Sequence, residues 1–342
     1  MIVLTENFDR ANLYPFTHTR HTADILIGAL TIRKKWELLT EDLITTDDTV
    51  NGIFIPANII PTKENFKEII EKSIQQKELK ASATIKIINY SWQLFQLNDY
   101  ALRNDYILLT DKKVSQHLNI SVNKSNKENI FIEPGVDMAH CFLNASTGPI
   151  FISSGAVIME GSMIRGPFFL GENSVIKMGT KIYGATSIGN NCTVGGEIKN
   201  SILFANSNKA HDGYLGDSVI GEWCNLGAGT NISNVKNNAT QVGYMLKYNA
   251  ELTYSGIKGG MLMGDYSRAA INTSFNTGSV VGICCNIFGE KYPEKFTNNF
   301  SWGNEKYIFE KAVRDIQSWM AFKNNSLTES AKKILKQLYE KV

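Results

Sequence analysis

Branched aliphatic residues recur at every sixth position from Ile152 to Val194: Ile152, Ile158, Ile164, Leu170, Ile176, Ile182, Ile188 and Val194. Four residues after each stands a mostly small side chain, Ala156, Ser162, Ser174, Thr180, Thr186 or Cys192, with Phe168 the exception. A helix repeats every 3.6 residues and one face of a strand every two, so neither accounts for the pattern. A hexad with one branched and one small inward residue winds the chain into a solenoid of short parallel strands, three hexads to a coil. The apolar residues stack inside as ladders and the small ones fit crowded corners. After Val194 the frame slips by two and resumes as Ile202, Tyr214, Ile220, Leu226 and Ile232, interrupted by polar Asn208. Residues 233–256 break the pattern, as an extruded loop would. A third frame runs Ile257, Met263, Ala269, Phe275, Val281 and Ile287.

The flanks read differently. Residues 1–110 mix strand-like runs (Ile2 to Leu4, Ile53 to Ile55, Ile85 to Ile88) with a helical pattern over 62–79, where Phe66, Ile69, Ile70 and Ile74 share a face. This predicts a small α/β domain. Residues 111–129 are polar and aperiodic, a linker, and the solenoid is expected over 130–303. In 304–342, Phe309, Val313, Ile316 and Met320 recur at helical spacing, and Ser326 with Glu329 forms a capping-box pattern opening a second helix. These helices are expected to cap the open end of the stack, whose last strand would otherwise present unpaired backbone.

Composition narrows the function. The 342 residues carry 35 Lys+Arg against 33 Asp+Glu, a net charge of +2. No global field recruits a polyanion, so neither nucleic acid nor a membrane is the expected partner. No apolar run approaches the roughly 18 to 20 residues that span a bilayer, and MIVLTENFDR lacks the pattern of an export signal, so a cytoplasmic location is expected. The 5 cysteines are odd in number and lack C-x-x-C spacing, which argues for buried thiols rather than disulfides or zinc. No metal-ligand set is identified.

The densest polar interruption of the hexads is KNSILFANSNKAHDGYLGD, Lys199 to Asp217, followed by GEWCNLGAGTNISN, Gly221 to Asn234. His211 is the candidate catalyst, because a neutral imidazole accepts a proton near pH 7. Lys199 and Lys209 supply positive charge. Tyr214, Asn225, Asn234 and the backbone amides of Gly227 to Thr230 can donate to an anionic sugar phosphate.

This segment resembles the acetyltransferase domain of the GlmU-type family, bifunctional N-acetylglucosamine-1-phosphate uridylyltransferases and glucosamine-1-phosphate N-acetyltransferases. The resemblance is carried by Lys199 twelve positions before His211, Tyr214 three after it, then Leu215-Gly216-Asp217, Asn225, Asn234 and the run NLGAGT. It implies a left-handed parallel β-helix and a homotrimer. It makes His211 the general base for the sugar 2-amine and gives Lys199, Tyr214 and Asn225 contacts to the sugar phosphate, with Asn234 and Lys181 also at the substrate. Gly227, Ala228 and Gly229 would line the acetyl-CoA groove. Lys181 stands where the family has arginine, and a point charge cannot repeat a bidentate phosphate contact. Val235 stands where the family has tyrosine.

The whole chain is similar to a divergent bacterial branch of that family with a shortened, atypical nucleotidyltransferase domain. The pieces that carry this are LYPFTHTRHTADILIGALTIRKKW, LFQLND, IMEGSMIRGPF, KIYGATSIG, MGDYSRAAINTSFNTGSVVG and FSWG. The first half nevertheless lacks a G-x-G-T-R loop and its Pro-Lys pair. Nucleotidyl transfer needs cations on the phosphates and Mg²⁺ held by carboxylates. Arg20, Arg33 (with Lys34) and Asp99 are the candidates for UTP and Mg²⁺, if that domain is active. The expected function is acetyl-CoA-dependent N-acetylation of glucosamine 1-phosphate, with uridylyl transfer as a further activity. The alternatives are acyl or nucleotidyl transfer on another sugar phosphate, and a non-catalytic scaffold.

Overall fold

The computed structural model describes residues 1–117 and 119–342. Its body is the solenoid, a three-sided prism whose faces are sheets of ten, nine and six strands, parallel except for the last strand of the ten-stranded one. Each strand pairs with the one a coil later, as in Ile150↔Phe168 and Phe168↔Thr186. The hexad residues from Ile152 to Val194 form a single interior cluster, continued by Met263, Ala269, Phe275, Val281 and Ile287.

Sterics are only half the reason for the small corner residues. Ser174 Oγ donates to Gly189 O at 2.7 Å and accepts from Cys192 N at 2.9 Å. Ser207 and Ser267 repeat the arrangement with Gly221 O and Cys224 N, and with Gly282 O and Cys285 N. Each hydroxyl thus satisfies a donor and an acceptor that the turn would otherwise bury unpaired.

The second hexad frame needs correction. Partners stand 18 residues apart at Leu170↔Ile188, but 15 apart at Ile188↔Leu203 and 17 at Leu203↔Ile220. The shortened coil brings Ile198, Leu203 and Leu215 inside and turns Asn208 and Tyr214 outward. Because successive side chains on a strand alternate faces, a frame error of one residue inverts inside and outside. The misleading signal was Ile202, which is buried on the outer side against the N-terminal region. Ile257, expected to open the third frame, is exposed.

The N-terminal region contributes a three-stranded parallel sheet with Ile2–Thr5 central between Ile44–Thr45 and Ile53–Pro56. Around it lie helices Ile32–Leu39, Phe66–Ile74 and Asn98–Thr110. Its core is continuous with the outer surface of the nine-stranded face through Ile202, Phe204, Val219, Leu262, Val280 and Phe296. The stretch 111–129 contains Asn123–Ser125, the first strand of the six-stranded face. The inserted loop forms an antiparallel hairpin, Val242–Tyr244 with Thr253–Gly256, whose Tyr244 stacks on Trp92 with centroids 5.1 Å apart.

The C-terminal helices, Phe309–Phe322 and Glu329–Tyr339, lie along the side of the stack instead of closing its end. Ala312, Val313, Ile316 and Met320 pack with Trp223, Ile283, Cys284 and Phe300, and Lys323 reaches Asn191 O, Asn206 O and Asn208 Oδ1 several coils back. The end of the ten-stranded sheet is finished instead by an antiparallel strand, Glu305–Lys306. The second helix is capped by Thr328, which accepts from Ala331 N at 3.1 Å, not by Ser326.

Candidate active site

Three neighbouring strands of the six-stranded face, Lys181–Tyr183, Glu197–Lys199 and Tyr214–Gly216, hold most of the polar candidates. Their middle residues Ile182, Ile198 and Leu215 point inward, so the flanking side chains must point out. The register Lys181↔Glu197↔Tyr214 and Tyr183↔Lys199↔Gly216 places Lys181 two rungs from Tyr214, about 10 Å at the usual strand spacing. Tyr183 donates to Glu197 Oε1 at 2.6 Å, and the Lys199 ammonium lies 5.7 Å from the Tyr183 ring centroid.

The Tyr-Leu-Gly-Asp run has a physical reading. Leu215 fills the interior. A Cβ on Gly216 would meet the Tyr214 hydroxyl at 2.3 Å, so glycine is what lets the phenol fold back over the strand. Asp217, at φ 46°, accepts from Asn200 Nδ2 at 2.7 Å and from Asn234 Nδ2. Asn234 Nδ2 also lies 3.1 Å from the Tyr214 hydroxyl, which accepts. The phenol keeps its own proton for donation outward. Burial, reinforced by Tyr183, Asp217 and Glu197, pushes the Tyr214 phenol well above the usual tyrosine range. Tyr183 is pushed up to about 12, chiefly by its hydrogen bond to Glu197.

His211 sits at the edge where the ten-stranded face turns into the six-stranded one, with an exposed side chain and no side-chain hydrogen bond among the described residues. Lys209 is not beside it in solution, as the charge pattern suggested. It occupies the ladder position next to Val194, fully buried, and its ammonium donates to Gly195 O at 3.1 Å and to His211 O. Lys209 therefore pins the backbone that presents His211. Burial lowers it to about 8.

One coil further along the same edge is the Gly227–Thr230 corner. Gly229 has φ +70°, and its N–H donates to Asp212 O at 3.0 Å, coupling this corner to the His211 turn. Ala228 O accepts from Asn272 N. Asn225 lies around the edge on the ten-stranded face, between Asn208 and Arg268. The structure thus places His211, Gly227, Ala228 and Gly229 on the edge where the six-stranded face begins, and Lys199, the Tyr214 hydroxyl and Asn234 toward the far end of the same strands, with Lys181 farther down that face and Asn225 on the other.

The N-terminal candidates are distributed differently. Arg20 is buried between Asp265 Oδ2 at 2.6 Å and Glu222 Oε2 at 3.1 Å, with its guanidinium carbon 5.0 Å from the Phe204 centroid. It welds the N-terminal region to the solenoid. Arg33 forks onto Asp24 at 2.6 and 2.9 Å, and Asp99 onto Arg103 at 2.9 and 3.1 Å. Arg20, Asp24 and Lys34 border one cavity of about 360 Å³, and Asp99 is not among its lining residues. Each of these carboxylates is already matched by an arginine, and no group of three or more metal-type side chains gathers among the described residues. Mg²⁺, which is usually held through one or two carboxylates and substrate phosphates, would have to draw these carboxylates away from their arginines.

Against known proteins, the family model "Sugar nucleotidyl transferase" matches residues 2–53. The "Bifunctional protein GlmU" of Methanococcus maripaludis is 39% identical over 158 residues, 44% of this chain and 38% of the relative. That of Methanocaldococcus jannaschii is 33% identical over 117 residues, 34% and 28%. That of Methanococcus vannielii is 28% identical over 282 residues, 76% of this chain and 59% of the relative. Over these stretches the chain is similar to GlmU proteins. It spans less than two thirds of the length of these GlmU relatives. Within this chain, the nucleotidyltransferase match falls on the first strand, the turns that hold Arg20 and the helix Ile32–Leu39 that holds Arg33, and the solenoid carries the His211 edge.

Proposed function

We propose that this chain transfers the acetyl group of acetyl-CoA to the 2-amine of glucosamine 1-phosphate. The observation that carries the reading is that one face of the prism carries the Lys199 ammonium and a proton-donating Tyr214 phenol and is bordered by the exposed His211 imidazole. His211 takes the proton from the amine as its nitrogen attacks the thioester carbonyl. Collapse of the tetrahedral intermediate breaks the C–S bond, and the leaving thiolate takes the proton back from the His211 imidazolium, which regenerates the base. Lys199 and the Tyr214 hydroxyl hold the phosphate, Tyr214 oriented by Asn234, and Lys181 adds a more distant charge. Gly227, Ala228 and Gly229 offer accessible backbone with almost no side chain, the surface a pantetheine arm can lie against.

Asn225 and Lys199 lie on two faces diverging from a convex edge, so one copy alone encloses no substrate. The reading therefore includes a homotrimer. The six-stranded face supplies an apolar surface for it, a cavity of about 480 Å³ lined by Phe142, Met163, Arg165, Lys181 and Tyr183. No helix among the described residues is long and apolar enough to cross a membrane, and a cytoplasmic location belongs to the same reading.

The test is His211→Ala assayed for CoA thiol release with acetyl-CoA and glucosamine 1-phosphate. A base contributes about 10²- to 10⁴-fold, so kcat should fall by that factor with KM for the sugar little changed. Retained turnover would remove the proposed base. A second reading, another amino-sugar phosphate as acceptor, is favoured by Lys181, which cannot fork onto a phosphate. Competition between sugar phosphates separates the two.

A further inference from the structure

The ten-stranded face carries a row of polar side chains that the acyl-transfer reading leaves largely idle. Leu226, Ala269 and Ile287 belong to the interior cluster, so the residue before each, Asn225, Arg268 and Asn286, points out of the prism. The register Asn225↔Arg268↔Asn286 sets them on successive rungs, about 5 Å apart at the usual strand spacing.

Arg268 is only 8% exposed, and its Nε and Nη2 are buried with no hydrogen-bond partner among the described residues. The carboxylate whose charge reaches it, Asp315, accepts from the Tyr307 hydroxyl instead. What covers the guanidinium is the Trp319 indole, whose centroid lies 5.5 Å from Arg268 Cζ. A cation–π contact offsets part of the lost hydration but satisfies no N–H in the plane of the guanidinium. Arg20, by contrast, ends on two carboxylates. A methionine would fill the place of Arg268 with nothing to desolvate, so packing alone does not account for a charge with idle donors. Such a group is explained by an acceptor that arrives from outside the chain.

The cover can turn aside without the helix that bears it. Phe309, Ala312, Val313, Ile316 and Met320 fix helix Phe309–Phe322 to the stack, and Lys323 ties its end to three oxygens. Trp319 stands outside that apolar cluster. It is half-buried on the flank of the helix and meets Phe322 edge-on at 6.3 Å, where Phe322 is itself 81% exposed. Rotation of the indole toward Phe322 opens the space above Arg268 and Asn225 and leaves the anchoring residues in place.

We propose that Arg268 and Asn225 bind a phosphoryl group and that Trp319 is a side-chain gate over them. The guanidinium offers two parallel N–H groups to two phosphoryl oxygens, the fork that Lys181 lacks, and the Asn225 amide offers a third donor from the next rung. The proposal does not depend on acetyl transfer. It is read by binding and unfolding, so retained turnover in His211→Ala would leave it standing, and its own failure would leave the proposed base standing.

The test is calorimetric titration of the full chain with inorganic phosphate, glucosamine 1-phosphate and coenzyme A in separate runs, on wild type, Arg268→Met and Trp319→Ala. At least one probe should saturate on wild type and bind at least about tenfold more weakly to Arg268→Met, the effect of losing a charged fork. The same probe should bind Trp319→Ala several-fold more tightly, because it no longer has to displace the indole. Which probe responds tells whether the phosphoryl group is free, on the sugar or on the coenzyme. Without ligand, Arg268→Met should melt no lower than wild type, since it removes a charge that lacks a partner. If no probe responds to Arg268→Met, or if that variant melts several degrees lower, Arg268 is a structural prop and the proposal is overturned. Unchanged or weaker binding to Trp319→Ala overturns the gate.

Discussion

Lys209 offers a test of the solenoid interior that depends on its sign as well as its size. The folded chain lowers this ammonium from 10.5 to about 8 by burial. Between those values the unfolded chain binds the proton and the folded chain does not, so stability rises with pH across the window. At 1.36 kcal/mol per unit the full gain is about 3 kcal/mol, of which about 2 kcal/mol falls between pH 7 and 9.5. A neutral amine still has two N–H groups for Gly195 O and His211 O, so deprotonation relieves desolvation without undoing the corner. The perturbation is Lys209→Met, which removes the titration. Urea unfolding of both proteins at pH 7 and 9.5, at one protein concentration, gives two stability gaps. Subtraction cancels the buried cysteines, whose raised thiols oppose the trend in both proteins. Wild type should gain about 2 kcal/mol on the variant as pH rises. A gap that does not move, or one that shifts toward the variant, refutes the reading of Lys209 as a buried, desolvated ammonium.

Two further expectations follow from particular contacts. Gly216→Ala places a methyl group where the Tyr214 hydroxyl lies, so KM for the sugar phosphate should rise about tenfold, the loss of one charge-assisted bond, while circular dichroism stays unchanged; an unchanged KM removes Tyr214 from the substrate. Arg20→Met strands Asp265 and Glu222, and breaking a buried pair from one side costs about 3 to 5 kcal/mol, to be read by thermal or urea unfolding; a change under about 1 kcal/mol would mean Arg20 was held for a ligand instead.

The interior of the stack was legible in the sequence because a six-residue period leaves one repeated chemical demand, seen plainly at Ile164, Ile182 and Ile188. Where a second surface competed for apolar residues, the period misled. Ile202 answers to the N-terminal region and not to the ladder, and reading it as inward turned Tyr214 and Asn208 inside. Lys209 was unreadable for the opposite reason. A buried lysine is recognised only by the two carbonyls it serves, which lie at a turn and one coil back. The same holds for Arg20, whose partners are more than 200 residues away. The residues around His211 were identifiable by type and spacing, but the gap between Asn225 and Lys199 depends on which face each strand joins, and a linear period does not carry that.

The covering of the three faces bears on how this chain must work. The N-terminal region lies over the nine-stranded face for much of its length, from Phe131, Phe151 and Phe169 under helix Asn98–Thr110 to Val280 and Phe296 under the first strands and turns. The C-terminal helices take the adjoining edge and part of the ten-stranded face, where Trp319 lies over Arg268 and Lys323 over Asn208. The six-stranded face keeps Phe142 and Met163 in solvent at 48% and 46% exposure, flanked by Arg165 and Lys181. Exposed apolar groups in a row on a stiff parallel sheet favour burial against another surface. This is also the face that ends at the His211 edge. A copy docking there would turn the convex edge into a wall of a cleft, so the proposed assembly and the proposed acyl transfer would draw on the same surface. Replacing Phe142 and Met163 together with serine should therefore lower the oligomeric state and acetyl transfer in parallel, and a monomer with full activity would break that link.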